Sequence, residues 1–352
     1  MVKDAVPLAR CSRALVVKLR HHGDVLLAAP VLSVLKAHAP RLEVDALVYD
    51  DTAPMLEGHP ALAQLHRIGR GWRELGAWAR MARERMLFRA LRGRGYDLLV
   101  HLTEHPRGAW LARLLGVRYS VAPIVRTRGR WWSKSFSHLY PLTPKRHQVE
   151  VNLDALRRIG LQPDVDERAV EFVPGPAAER NIAALALPAA FVHMHPASRW
   201  HFKTWPAARN AELADRLGAE GHAVVLTSAP EEAGFIDEIV GKMATTPMNL
   251  AGQLSLKELG ALTSRARLFI GVDSMPMHLA AAMGTPTVAL FGPSGEHEWG
   301  PWTAKRRVIT TTHSCRPCGL DGCGGGKVSE CLTQLPVDAV HAAARELLAM
   351  PA

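Results

Sequence analysis

Short apolar runs recur along the chain, and most are followed by a stretch in which apolar residues return at helical spacing. Residues 14–19 (ALVVKL), 43–49 (EVDALVY), 96–102 (YDLLVHL), 191–195 (FVHMH), 223–227 (AVVLT) and 287–291 (TVALF) read as strands, as does the run ending at Asp273. The helical stretches are 25–38, 80–94, 109–115, 208–220, 276–283 and 335–350, several of them closed by Gly or Pro. Near-continuous apolarity marks strands buried on both faces of a parallel sheet, and alternation of strand with helix marks an α/β fold. A stretch rich in Pro, Asp and Glu, 163–176, reads as an inter-domain linker. The expected division is residues 1–165, a linker at 166–183 and a second domain at 184–352, whose final helix can cross back onto the first.

Length and charge narrow the class. With 352 residues the chain can bury two cores of ordinary size. No apolar run approaches the roughly 20 residues that span a bilayer. The run 8–19 is interrupted by Arg10, Arg13 and Lys18, which reads as a first strand and not a signal peptide, so a cytoplasmic location is expected. A formal net charge of +10 favours anionic partners: nucleic acid, an anionic membrane face or a phosphorylated glycolipid. No nucleic-acid-binding module is recognisable, so nucleic acid is not expected among them.

Two segments concentrate that charge. Residues 80–94 (RMARERMLFRALRGR) form a basic helix with Met81, Met86, Leu87 and Leu91 available for an apolar face. Residues 125–136 (VRTRGRWWSKSF) interleave Arg126, Arg128, Arg130 and Lys134 with Trp131 and Trp132. Basic residues beside tryptophan suit a membrane interface or a phosphorylated saccharide, against the plainer alternatives of a solvated helix face and core tryptophans.

The richest candidate chemistry lies in residues 271–294, GVDSMPMHLAAAMGTPTVALFGPS, a strand–helix–strand unit. Ligands bind at such junctions because the helix N-terminus offers unpaired amides and a positive dipole end to a phosphate. Asp273, Ser274 and His278 fall there, and Pro276 fits a first helical turn. The alternative is that Asp273 and Ser274 merely cap the helix. Gly23 and Asp24 hold the same position after the first strand, where Asp24 is either a cap or a general base, with His21 and His22 beside it. The segment after the strand 191–195, PASRWHFKTWP, is a plausible diphosphate cradle through Ser198, Arg199 and Lys203. Four cysteines, Cys315, Cys318, Cys323 and Cys331, are close enough in sequence to hold a structural zinc, but only the first pair has a usual ligand spacing, and no metal cofactor is expected to be required.

These strings together resemble the ADP-heptose glycosyltransferases that build the inner core of bacterial lipopolysaccharide, glycosyltransferase family 9. The resemblance runs over nearly the whole chain and rests on GD at residues 23–24, KTW at 203–205 and DSMPMH at 273–278, in the family's order. It implies a GT-B type α/β fold, two facing Rossmann-like domains with parallel sheets: an N-terminal acceptor domain and a C-terminal donor domain. It implies inverting transfer of heptose from ADP-heptose to the core, without a required metal, with Asp24 as base. The donor contacts it implies are Ser198, Arg199, Lys203, Glu231 (with Glu232 as rival), Asp273, Ser274, Met275 and His278. Many members have Gly where this chain has Met275. The acceptor contacts it implies are His21, His22, Thr103, Glu104, His105, Arg107, Arg126, Arg128 and Arg130, and the acceptor places the enzyme at the cytoplasmic face of the inner membrane. GEHEWGPW at 295–302 is closer to members that add the third, branching heptose to the second than to those acting first or second. The alternatives are an earlier step in the core, or a basic polyanion- or lipid-binding protein whose nucleotide pocket is vestigial.

Overall fold

The computed structural model describes residues 4–350 and falls into two units, one reaching to Val173 and one from Pro174 onward. In the first, strands β1 (Arg13–Val17), β2 (Glu43–Tyr49), β3 (Leu62–Ile68), β4 (Leu98–His101), β5 (Tyr119–Pro123) and β6 (His138–Tyr140) form one sheet in the order β3-β2-β1-β4-β5-β6. In the second, β7 (Phe191–His195), β8 (Ala223–Leu226), β9 (Met248–Asn249), β10 (Leu268–Val272), β11 (Thr287–Leu290) and β12 (Arg306–Ile309) run β12-β11-β10-β7-β8-β9. Every neighbouring pair is parallel. Counted from its own first strand, each sheet has the order 3-2-1-4-5-6 of a dinucleotide-binding fold. The strand order therefore reverses beside β1 in one unit and beside β7 in the other, and the crevice at such a reversal is where ligands bind.

The helices of the first unit are α1 (His22–Leu26), α2 (Ala29–His38), α3 (Ala77–Arg94), α4 (Arg107–Leu114), α5 (Gly129–Ser133) and α6 (Gln148–Arg158). Those of the second are α7 (Pro176–Ala183), α8 (Ala207–Ala219), α9 (Ala233–Val240), α10 (Leu256–Thr263), α11 (Met275–Ala282), α12 (Glu296–Trp299), α13 (Glu330–Thr333) and α14 (Val337–Leu348). The central strands are apolar because helices cover both faces: β10 is buried throughout, and β1 from its second residue.

The structure refines several local expectations and corrects the helix at 25–38. The single helix expected at 25–38 is two, with Pro30 in the first turn of α2, where its missing amide costs nothing. Helix α3 buries only Leu87 and Leu91, leaving Met81 39% and Met86 60% exposed. The residues expected as a linker are shared between the units: Asp166–Arg168 form a one-turn helix in the first, whereas α7 buries Ala178 and Ile182 in the second. Helix α14 places Val340, Ala344 and Leu347 in the core of the second unit with Trp205, Leu213 and Leu290.

Edge and core of the first unit are tied by a buried carboxylate. Asp45 in β2 is fully buried and accepts hydrogen bonds from Arg94 Nε and Tyr96 Oη, each at 2.7 Å. His66 Nε2 lies 2.8 Å from Tyr96 Oη and 3.6 Å from Asp45. Burial alone would raise the Asp45 pKa, but these donors more than offset it and hold it at about 2.

Candidate active site

In the second unit the candidate donor residues gather at the carboxyl ends of β7, β8 and β10. β7 ends at His195; the chain then passes Ser198, which is buried, and Arg199, which is exposed with its guanidinium 5.5 Å from the Trp200 ring centre. Ser198 Oγ accepts from the Trp200 amide at 3.3 Å. Lys203 closes a one-turn helix, with Trp205 fully buried beyond it as the anchor of the loop. From β10 comes Asp273, and Lys203 Nζ donates to its Oδ2 at 2.6 Å. The two side chains are 21% and 8% exposed, so the cation keeps an open side while its partner is held inside.

Asp273 is thus engaged by Lys203 instead of capping α11. Ser274 occupies the N-cap position, but its hydroxyl donates back to the Val272 carbonyl at 3.3 Å and makes no capping bond. No side chain caps the start of α11, where Pro276 carries no amide and the Met277 amide donates to the Ser274 carbonyl at 3.2 Å; an uncapped helix start beside a fixed cation is an arrangement that holds a phosphate. Met275 needs no glycine: its φ lies outside the left-handed region, and the side chain is half-buried. His278 is buried in the same first turn of α11.

After β8 the two rival glutamates separate. Glu232 is half-buried and accepts from the Ala229 amide at 3.2 Å, and burial raises its pKa. Glu231 is exposed and has no protein partner among the described residues. Ser255 caps α10 in a reciprocal pair, Glu258 amide to Ser255 Oγ at 3.3 Å and Ser255 amide to Glu258 Oε2 at 2.8 Å.

In the first unit the candidates likewise collect where the strand order reverses. Asp24 sits inside the first turn of α1, and the N-cap position belongs to His21, so Asp24 is not the cap. His21 is exposed; His22 Nε2 lies 3.0 Å from the Asp51 carbonyl, and burial lowers its pKa. Beyond β4, Thr103 is buried with its hydroxyl 3.4 Å from His101 Nε2, and Glu104 is exposed. His105 Nδ1 accepts from the Arg107 amide at 3.2 Å, and burial lowers the His105 pKa. Arg107 makes a two-pronged ion pair with Glu84 of α3, at 2.6 and 2.7 Å, and so braces α4 against α3. Arg126, Arg128 and Arg130 are exposed after β5. Of the paired tryptophans, Trp132 is core, 1% exposed and donating to the Pro123 carbonyl at 2.8 Å, whereas Trp131 is half-buried.

A buried lysine supports this end of the first sheet. Lys18 follows β1 and is 3% exposed, with Nζ donating to Asn152 Oδ1 at 2.9 Å and to the Leu102 carbonyl at 3.3 Å. Asn152 in turn donates to the Leu27 carbonyl at 2.9 Å. This knot fixes the ends of β1 and β4 and the turn between α1 and α2 that follows Asp24. Burial lowers the Lys18 pKa to about 8, opposed by the charge of Asp24.

Residues 84–328 match the family model of glycosyltransferase family 9 (heptosyltransferase). Lipopolysaccharide heptosyltransferase 3 of Escherichia coli is 37% identical over 291 residues, which cover 81% of this chain and 85% of that protein. The chain belongs to glycosyltransferase family 9. Among solved structures, the family 9 glycosyl transferase of Veillonella parvula superposes with a TM-score of 0.82 at 23% identity, covering 96% of this chain and 97% of that one. The Escherichia coli heptosyltransferase WaaC with ADP gives 0.74 at 22% identity, covering 95% and 99%.

The fold is therefore the expected GT-B type of α/β architecture, and the protein is a glycosyltransferase. No helix among the described residues is long and apolar enough to cross a membrane. In this family 9 enzyme Cys315, Cys318 and Cys323 are exposed and Cys331 is buried, all four as free thiols. Among the described residues no three His, Cys, Asp or Glu side chains form a group that could hold a metal ion.

Proposed function

We propose that this enzyme is an inverting heptosyltransferase that moves heptose from ADP-L-glycero-D-manno-heptose to the inner core of lipopolysaccharide, adding the third, branching heptose to the second. The observation that carries the donor half is the Lys203–Asp273 pair beside the uncapped N-terminus of α11. The identity to heptosyltransferase 3 supports the acceptor.

In the reaction the acceptor hydroxyl attacks the anomeric carbon from the face opposite the diphosphate, and Asp24 takes its proton. The bond from the anomeric carbon to the phosphate oxygen breaks and its electron pair leaves with ADP. Lys203 and the positive dipole end of α11 stabilise the charge that accumulates there. Glu231 is the carboxylate free to meet the ribose, and Ser198 and Arg199 complete the donor loop. His21, His22, Thr103, Glu104, Arg126, Arg128 and Arg130 are the contacts we assign to the acceptor; Arg107 acts with them by bracing α4.

The test is calorimetric titration with ADP, ADP-heptose and UDP-sugars, followed by transfer assays on cores truncated after the first, second or third heptose. Selective binding of the adenine ligands and transfer only to the core ending in the second heptose support the proposal. Transfer to an earlier acceptor assigns heptosyltransferase I or II activity instead. Polyanion binding without adenine-nucleotide binding would overturn the ADP-heptose donor assignment.

The enzyme works as a peripheral protein on an anionic membrane face. Support comes from the first unit, where Trp78 is 83%, Met86 60%, Trp110 54% and Leu114 55% exposed. Trp110 and Trp131 have ring centres 5.1 Å apart, Arg113 lies over Trp131, and the Arg107–Glu84 pair joins this helix to the arginine-rich α3. Apolar tips among arginines are what an interfacial surface needs. Sedimentation with anionic vesicles should be lost in Trp78→Ser/Trp110→Ser and absent with neutral vesicles; equal sedimentation by the variant would rule this surface out.

A further inference from the structure

His193 and His195 share one face of β7, and Thr227, the residue after β8, lies between them. Thr227 Oγ1 is 2.7 Å from His193 Nε2 and 2.8 Å from His195 Nδ1. Thr263 Oγ1, at the end of α10, is 3.1 Å from His193 Nδ1 and 2.6 Å from the Leu259 carbonyl.

These four contacts admit one set of proton positions. A carbonyl cannot donate, so the Thr263 hydrogen goes to Leu259 and its oxygen accepts from His193 Nδ1–H. Burial keeps both imidazoles neutral, His193 well below the ordinary range and His195 down to about 4. His193 Nε2 is then bare and accepts the Thr227 hydroxyl hydrogen. Thr227 has only lone pairs left for His195, whose Nδ1 must carry the proton. His195 Nε2 is consequently a bare acceptor, and it has no partner among the described residues.

Its position gives that acceptor a use. His195 is the last residue of β7 and pairs in register with Gly271 of β10, two residues before Asp273 and three before Ser198 in its own chain direction. A Cβ at Gly271 would stand 2.7 Å from the Phe269 ring and 3.0 Å from the His195 carbonyl, so this neighbour must remain without a side chain. A bare nitrogen repels phosphate oxygens, which carry no hydrogen at neutral pH, and requires a partner that donates. We infer that His195 Nε2 accepts a hydrogen bond from a hydroxyl of the nucleotide-sugar donor, on the ribose or the heptose. Thr227, His193 and Thr263 act behind it as positioning residues that fix its tautomer. The inference rests on the donor assignment above.

Imidazole nitrogen NMR on the full chain, with His195 assigned by His195→Gln, tests it directly. In the free protein Nδ1 should be protonated and Nε2 bare, and ADP-heptose should move Nε2 to a hydrogen-bonded shift. ADP and inosine diphosphate producing the same shift assign the ribose; a shift given only by ADP-heptose assigns the heptose. A shift given by ADP but not inosine diphosphate assigns the adenine amino group and overturns the inference. Thr227→Val should mix the tautomers and weaken ADP-heptose binding about threefold to tenfold, with His195→Phe weaker than His195→Gln. A protonated Nε2 in the free protein, or no response to ADP-heptose that calorimetry shows to be bound, would refute it. Absence of ADP-heptose binding by calorimetry removes the donor assignment and this inference with it.

Discussion

Lys203 and Asp273 are 70 residues apart in the chain, and Lys203 Nζ donates to Asp273 Oδ2 at 2.6 Å. The pair exists because β7 and β10 are neighbours at the reversal of strand order, so loops from distant segments leave the sheet side by side. Asp273 holds the lysine in place before any ligand arrives. A cation fixed in advance needs no reorganisation when charge develops on a departing diphosphate.

Lys203→Ala should lower kcat/KM by about a hundredfold to a thousandfold, as loss of one preorganised group at a developing charge does. Lys203→Arg should recover part of it, because the charge returns without the same fit to Asp273. Asp273→Asn leaves the cation but loosens it, so steady-state kinetics should show a smaller loss, concentrated in kcat. Equal kinetics for wild type and Lys203→Ala would detach this lysine from the chemistry.

Asp24→Asn should reduce kcat by roughly a hundredfold to ten-thousandfold while leaving ADP-heptose affinity unchanged, since only the proton acceptor is lost. Single-turnover kinetics beside calorimetry separate the two quantities. A parallel fall in donor affinity would mean that Asp24 serves binding and not proton transfer.

The positions of Asp24, Lys203 and Asp273 after β1, β7 and β10 are legible in the sequence, because each follows an apolar run whose length announces a strand end. The strands that give no clear signal in the sequence, β3, β5, β6, β9 and β12, are short or polar: β3 is LAQLHRI and only two of its residues are buried. Lys18 and His195 were hidden for another reason. Each lies at the end of a buried strand, and what distinguishes it is a partner 134 or 32 residues away. Adjacent Trp131 and Trp132 have opposite environments on a five-residue helix, too short for periodicity to sort them. Arg107 reads as a free cation until Glu84, 23 residues earlier, is seen to engage it.

Asp45 makes the first unit acid-sensitive. Its pKa is about 2 in the fold against an ordinary 3.8, so its contribution to stability is complete above about pH 4 and is lost as pH falls through 2. Asp45→Ala should leave Arg94 and Tyr96 without their buried acceptor and cost about 3–5 kcal/mol. Urea unfolding at neutral pH measures that loss, and the same series near pH 3 should show a smaller difference between variant and wild type.

Lys18 predicts the opposite end of the scale. It titrates at about 8 in the fold against an ordinary 10.5, so between these values the unfolded chain binds more protons than the native one. Stability from this group is therefore greatest above about pH 10 and is lost as pH falls through 8, a swing of roughly 3 kcal/mol for a fully buried amine. Lys18→Met removes the titrating group, so its stability relative to wild type should fall as pH rises through this window. At neutral pH the lost bonds to Asn152 and Leu102 oppose the relief of a buried charge. Asp24 supplies a second arm to the same measurement. Its charge raises the Lys18 pKa against the effect of burial, so Asp24→Asn should let Lys18 titrate lower and open the window below pH 8. Urea unfolding at fixed pH across this range gives both results, and an unmoved window in Asp24→Asn would show that the carboxylate and the buried ammonium do not sense each other.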